Sequence, residues 1–126
     1  MKSLKAERIK INIGNLWETP LLHILFSRED EVIVARCLDF SVSSHGKDEK
    51  EALSSLVDAI KEYIITAVEN DSVDVIYDPA HSKYWRMFNE LETKAMGNQL
   101  KKSLKKVWRS ISHEELNHVT AKISYA

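Results

Sequence analysis

The chain has 126 residues, of which 44% are hydrophobic and 29% are charged, and its formal net charge is −1. This length fits one domain with at most a short extension, and the composition excludes a disordered chain, a collagen-like repeat and a disulfide scaffold. The single cysteine, Cys37, has no internal disulfide partner, and no apolar run reaches the roughly 20 residues of a membrane-spanning helix. We therefore expect a cytoplasmic protein that has no signal peptide and binds no membrane.

Strands are predicted in the first part of the chain. Residues 9–13 alternate apolar and polar side chains, which is the period of a half-buried strand. Residues 21–43 predict a long antiparallel hairpin, because two apolar and β-branched runs flank the four charged residues 28–31.

The clearest predicted element is an amphipathic helix over residues 48–69. Asp48 and Glu51 have the spacing of a capping box, and the apolar residues that follow recur every three or four positions. Residues 73–77 alternate again, and they predict a short strand that returns to the sheet.

Helices dominate the predicted C-terminal part. Residues 82–96 and 98–111 both keep helical spacing, and Gly97 between them is typical of a helix end. Ser112 caps a possible further turn, and residues 119–125 alternate as in a closing strand.

This order of elements predicts an α+β fold. In the predicted fold, an antiparallel sheet consists of hairpin 21–43 plus strand 73–77. We expect the long helix 48–69 to pack against that sheet and the additional C-terminal helices to lie over the same face.

Charge is distributed unevenly along the chain. Residues 28–92 carry 15 acidic and 7 basic side chains, a balance of −8, whereas residues 93–111 carry six basic side chains and no acidic one. This pattern favours a basic partner for the first segment and an anionic partner for the second. The two segments could equally neutralise each other within the fold.

Few residues qualify for catalysis or metal binding. Cys37 lies within a predicted strand without a neighbouring base, so we predict a small buried side chain. Asp39 and Asp74 could meet, but a nuclease centre needs further carboxylates that the sequence does not supply. His23 is predicted to be a packed or an edge residue of a strand. We therefore expect no enzyme activity, no catalytic residue, no metal and no cofactor.

One segment carries a family resemblance. Residues 34–46 read Val-Ala-Arg-Cys-Leu-Asp-Phe-Ser-Val-Ser-Ser-His-Gly, and Glu51-Ala52-Leu53 follow at the start of the predicted helix. In this order and spacing, over roughly residues 21–77, the chain resembles the HicB family of antitoxins. The resemblance implies a partial ribonuclease-H-like core with an N-terminal strand in residues 1–78. A C-terminal helical extension would occupy residues 79–126, and we expect the two parts to form one compact unit.

The resemblance also implies a function, which is to bind and block a small basic ribonuclease toxin similar to HicA. An acidic helix face would pair with such a partner. A homo-oligomer, either a dimer or a tetramer, is expected. The predicted partner-binding surface consists of Glu49, Asp58, Glu62 and His45.

The basic helix 98–111 supports a second hypothesis, a regulator that binds nucleic acid through a row of cations. The same cations could instead form an ordinary solvated face, and the chain could be a solitary HicB-like homo-oligomer. Trp108 shares the apolar stripe of this helix and is predicted to lie in the core. The candidate anion contacts are Lys101, Lys102, Lys105, Lys106 and Arg109.

Overall fold

Within residues 1–125, which the computed structural model describes, six strands precede the first helix. Four of them form an antiparallel sheet in the order β1-β4-β5-β6, and β2 pairs with β3 in a separate hairpin. The predicted α+β class is therefore confirmed. The strands are β1 (Lys2–Ile9), β2 (Asn12–Ile13), β3 (Trp17–Glu18), β4 (Leu22–Glu29), β5 (Val32–Cys37) and β6 (Val42–Gly46).

The predicted hairpin over 21–43 is present, but a second turn divides its second half into two strands, β5 and β6. Strands β4 and β5 are paired with Glu29 opposite Val32, so two residues form the turn between them. The first of these, Asp30, adopts a left-handed φ of 56°. A second turn follows β5, and β6 then adds to the sheet as its edge strand.

The N-terminal strand begins earlier than predicted, and the prediction of one strand over 9–13 was wrong. Strand β1 ends at Ile9, and residues 12–13 belong to the small hairpin. The cause is the buried Thr19, whose Oγ accepts a hydrogen bond of 2.9 Å from the Ile11 N–H and whose N–H donates one of 2.9 Å to the Ile11 carbonyl. These bonds take the backbone of Ile11 away from the main sheet.

Helix α1 spans Glu49–Glu69, as the sequence predicted within one residue. Asp48 caps it, because its Oδ1 accepts a hydrogen bond of 2.8 Å from the Glu51 N–H. The buried face of α1 packs on side chains of β4, β5 and β6, and this contact forms the main core. The buried residues of the helix are Ala52, Leu56, Ile60, Ile64 and Ala67.

A second helix, α2 (Ser82–Trp108), begins on the opposite face of the sheet. Phe88 is buried there against Leu25 and Leu38, with Trp85 packed beside them. The expectation that all helices cover one face was therefore wrong. Successive side chains of a strand point to opposite faces of the sheet, and β4 places buried apolar side chains on both faces. Each face is therefore covered by a helix.

Residues 73–77 do not form the predicted strand. Val73–Val75 is a short 3-10 helix. The hydrogen bonds of this segment go elsewhere: the Tyr63 hydroxyl donates to the Ile76 carbonyl at 2.6 Å, and the Asp78 N–H donates to the Asp39 carbonyl at 2.9 Å. Alternation alone was misleading here, because a strand also needs a neighbouring strand to pair with.

The predicted helices 82–96 and 98–111 form one continuous element, so the prediction of a helix end at Gly97 was wrong. Gly97 lies inside α2, and the only glycine with a left-handed φ among the residues described is Gly14. A further turn, α3 (His113–Leu116), is capped by Ser112, as predicted. Residues 119–125 have no strand structure, which corrects the predicted closing strand.

By its internal contacts the chain divides into two compact units, Met1–Thr93 and a second unit that begins at Lys94. The division lies within α2, whereas the sequence predicted a boundary after residue 78 and one compact unit overall. Within residues 1–125, no helix combines the length and the apolar character required to cross a bilayer.

Two glycines give a matched test of this fold. A Cβ added at Gly46 would lie 2.5 Å from the Ala52 nitrogen, whereas one added at Gly97 would meet nothing within 4 Å. We expect Gly46→Ala to lower the free energy of unfolding by about 1–3 kcal/mol through overpacking. Gly97→Ala should raise it by up to about 1 kcal/mol, because alanine favours helix. Urea unfolding followed by circular dichroism measures both, and a Gly46→Ala protein of unchanged stability would contradict the close packing of α1 on β6.

Candidate protein-binding surface

The exposed face of α1 carries a row of carboxylates, which we call the acidic stripe. Its members are Glu51, Asp58, Glu62 and Glu69, and all four are exposed. Their successive separations of 7, 4 and 7 residues are close to whole helical turns, so they lie in one row opposite the buried face. Lys61 approaches Glu62 at 3.9 Å, but an exposed pair of this kind contributes little.

Helix α1 runs beside the edge strand β6. At one end Gly46 approaches the helix so closely that its missing Cβ would lie 2.8 Å from the Glu51 Cβ. At the other end Val42 lines an open groove of about 390 Å³ together with Glu62 and Tyr63. The acidic stripe therefore borders both ends of β6, through Glu51 and Glu62.

The structure places two of the four predicted partner contacts, Asp58 and Glu62, in the acidic stripe. Glu49 is half-buried on a different side of α1, and its carboxylate lies 3.8 Å from the Lys5 ammonium of β1. His45 is exposed within β6 rather than in the turn that follows it. His45 is in register with Val34, on the face of the sheet opposite α1. Neither residue lies beside the stripe.

Sequence reasoning missed the two ends of the stripe. Glu51 was interpreted as a capping residue, but Asp48 binds its backbone N–H and leaves its carboxylate exposed. Glu69 was not among the predicted partner contacts, although its separation of seven residues from Glu62 places it in the same row. The spacing along the helix was the signal that could have identified both.

The predicted basic residues belong to the second unit. Lys101, Lys102, Lys105 and Lys106 lie on α2 and are exposed, and the exposed Arg109 directly follows the helix. No carboxylate occurs between residues 93 and 111 to pair with them.

Trp108 is 56% exposed, so the prediction that it lies in the core was wrong. It lines an open concavity with Leu104, Lys105 and Arg109. The apolar stripe of this part of α2 has no covering element within the part of the chain that the structure describes. Its exposed members are Met96, Leu100, Leu104, Val107 and Trp108.

The turn between β5 and β6 holds a polar contact on the α2 side of the sheet. Asp39, only 8% exposed, accepts a hydrogen bond of 2.7 Å from the His23 N–H, and its second oxygen lies 3.0 Å from the His23 Nδ1. The His23 ring packs edge-on against Trp85 and Phe88, at centroid distances of 5.0 and 5.2 Å. Of the two predicted alternatives, His23 is therefore the packed strand residue, and Asp39 fixes the turn.

Cys37 is fully buried in β5, as predicted. Burial raises the pKa of its thiol to about 12, so the thiol is protonated at neutral pH. A thiol in this state is a poor nucleophile, because the thiolate is the reactive form.

Comparisons with known proteins found no matching family model, curated protein or solved structure. Within residues 1–125, no three side chains of the His, Cys, Asp or Glu type lie close enough to hold a metal ion. The resemblance to HicB antitoxins therefore stays a prediction from residues 21–77, and the acidic stripe and the basic helix are the surfaces on which a function can be based.

The buried thiol makes a prediction about chemical reactivity. At pH 8 a thiol of pKa about 12 has roughly a thousandfold less thiolate than an unfolded cysteine, whose pKa is near 8.5. We expect native Cys37 to react with Ellman's reagent at least that much more slowly than the urea-unfolded chain. The native rate should rise about tenfold per pH unit above pH 8, if unfolding does not intervene. Equal rates in the native and unfolded chains would show that Cys37 is accessible.

Proposed function

We propose that this chain is a non-enzymatic, antitoxin-like protein that binds and sequesters a small basic protein in the cytoplasm. The acidic stripe is the observation that carries this proposal. Four exposed carboxylates in one row attract a basic surface, accelerate its association and disfavour anionic partners.

A small ribonuclease toxin, the partner implied by the resemblance to HicB proteins, fits such a surface chemically. Any protein that holds RNA presents cations to the phosphates. Carboxylates arranged along α1 would pair with those cations, and the RNA could not then occupy the same surface. Inhibition would require no chemistry on the part of this chain.

Affinity capture of the tagged protein from its native cells, at low and high salt, tests the proposal. We expect mass spectrometry to identify one small basic protein in a stoichiometric amount, and we expect that protein to cleave RNA only when released. Asp58→Lys combined with Glu62→Lys should slow its association about tenfold at low salt, and less at high salt.

Glu31→Lys combined with Asp74→Lys is the matched control, because both residues are exposed acids outside the stripe. It changes the net charge by the same amount and should leave the association rate within about twofold of the original. Equal effects of the two double variants would show that net charge, and not the stripe, attracts the partner. Recovery of the protein without any bound protein would contradict the proposal.

The exposure of Trp108 favours a second candidate function, binding of single-stranded nucleic acid by the second unit. Its ring lies in one concavity with Lys105 and Arg109, and this combination of an aromatic face and cations is typical of single-strand binding sites. The remaining cations of the helix would extend the contact along the phosphates.

Fluorescence anisotropy with a short labelled single-stranded RNA tests this second function. Trp108→Leu should weaken binding at least tenfold if a base stacks on the ring. Lys105→Gln combined with Arg109→Gln should reduce the slope of log affinity against log salt by about 1.4, because two phosphate contacts are lost. The control pair Lys47→Gln and Lys50→Gln, in the first unit, should change neither value. An absence of binding at low salt would eliminate this candidate.

A further inference from the structure

The two edges of the main sheet are protected to very different degrees. Strand β1 carries four charged side chains, and its register with β4 shifts between Ser3 and Lys5. Charges and irregularities of this kind are the devices by which proteins prevent another strand from adding to an edge. Strand β1 is therefore a poor template for pairing.

Strand β6 has none of these devices. Its sequence, Val-Ser-Ser-His-Gly, contains no Lys, Arg, Asp, Glu or Pro. Among residues 1–125 it has a strand neighbour only on its β5 side. The outward backbone N–H and C=O groups of such an edge are free to pair with another strand, and Ser43 and His45 beside them are exposed.

The connection from α1 to α2 does not pair with this edge. It pairs instead with the turn that precedes β6, where the Asp78 N–H donates to the Asp39 carbonyl at 2.9 Å and the Ala80 N–H donates to the Leu38 carbonyl at 2.8 Å. The Ser41 hydroxyl also donates to the Asp78 carbonyl at 2.6 Å. The connection is thus anchored at the start of β6 and leaves the outer edge of that strand unpaired.

The acidic stripe defines what kind of strand would fit. Glu51 borders the Gly46 end of β6 and Glu62 borders the Val42 end. The two acids are 11 positions apart, which corresponds to about 16 Å along the helix, and a five-residue strand is about as long. A second copy of the chain paired through β6 would bring its own Glu51 and Glu62 to the same edge, whereas a basic strand would meet a carboxylate near each of its ends.

We propose that β6 accepts an extended, basic segment of the partner protein as a fifth strand of the sheet, with Glu51 and Glu62 of the acidic stripe near its two ends. This inference rests on the proposed function and specifies how the partner is held. Backbone hydrogen bonds to β6 would supply affinity, and the carboxylates of α1 would select segments rich in Lys and Arg.

Backbone amide exchange of the full-length protein, measured residue by residue by NMR, tests the inference with defined peptides. The probe is an acetylated peptide of alternating valine and lysine. Two controls accompany it, a peptide of the same charge in which alternate amides are N-methylated and a peptide of alternating valine and glutamate. N-methylation removes the backbone donors but keeps the charge, so it separates strand pairing from simple attraction.

We expect the valine–lysine peptide at saturation to slow exchange of alternate β6 amides at least tenfold, because only the outward amides gain a partner. The N-methylated and glutamate peptides should leave those amides unchanged. Glu51→Gln combined with Glu62→Gln should weaken binding of the valine–lysine peptide several-fold, and Glu114→Gln combined with Glu115→Gln, at exposed positions of α3, should not.

Two results would overturn the inference. One is equal binding of the N-methylated and unmodified peptides without protection of β6, which would leave the acidic stripe as a purely electrostatic surface. The other is a dimer of the free protein in which the outward β6 amides are already protected, which would show that a second copy fills the edge. Both leave the proposed function standing if a basic protein is captured from cells, whereas failure of that capture overturns the proposed function itself.

Discussion

Strand β4 determines the arrangement of the first unit, because it is paired on both edges and buried on both faces. Ile24 and Phe26 contribute to the core beneath α1, and Leu25 contributes to the cluster around Phe88 on the other face. A shift of β4 by one residue would exchange these two sets of side chains, so the register is strongly specified. On one side of β4 the sheet ends at the charged, irregular edge strand β1, and on the other side it ends, beyond β5, at the uncharged edge strand β6.

The close approach at Gly46 connects this core to the proposed function. Because Gly46 has no Cβ, the backbone of α1 packs directly against that end of β6. The helix extends along the strand to the groove at Val42. Burial of the apolar face of α1 therefore also determines the direction in which its opposite, exposed face points. Two of its exposed carboxylates, Glu51 and Glu62, are thereby held near the ends of the one sheet edge whose sequence does nothing to prevent pairing.

Local patterns predicted α1 and the β4–β5 hairpin well, because a cap such as Asp48 and a helical repeat of apolar residues act within a few turns of chain. They failed at residues 73–77 and 119–125, where alternation was present but no strand formed. Of the candidate site, Asp58 and Glu62 were predicted from their exposed position on the helix. The position of Glu62 near β6 could not be predicted, because it depends on a contact between Gly46 and Ala52 in the folded chain.

The sequence by itself determined the α+β class, the long amphipathic helix and the separation of acidic and basic segments, since these follow from composition and short-range spacing. Only the tertiary structure decided which apolar residues are buried. Phe88 and Trp108 both lie on apolar stripes of α2, but Phe88 meets Leu25 and Leu38, whereas Trp108 is left exposed beside Lys105. Helical spacing is the same in both cases, and burial depends on whether another part of the chain reaches the stripe.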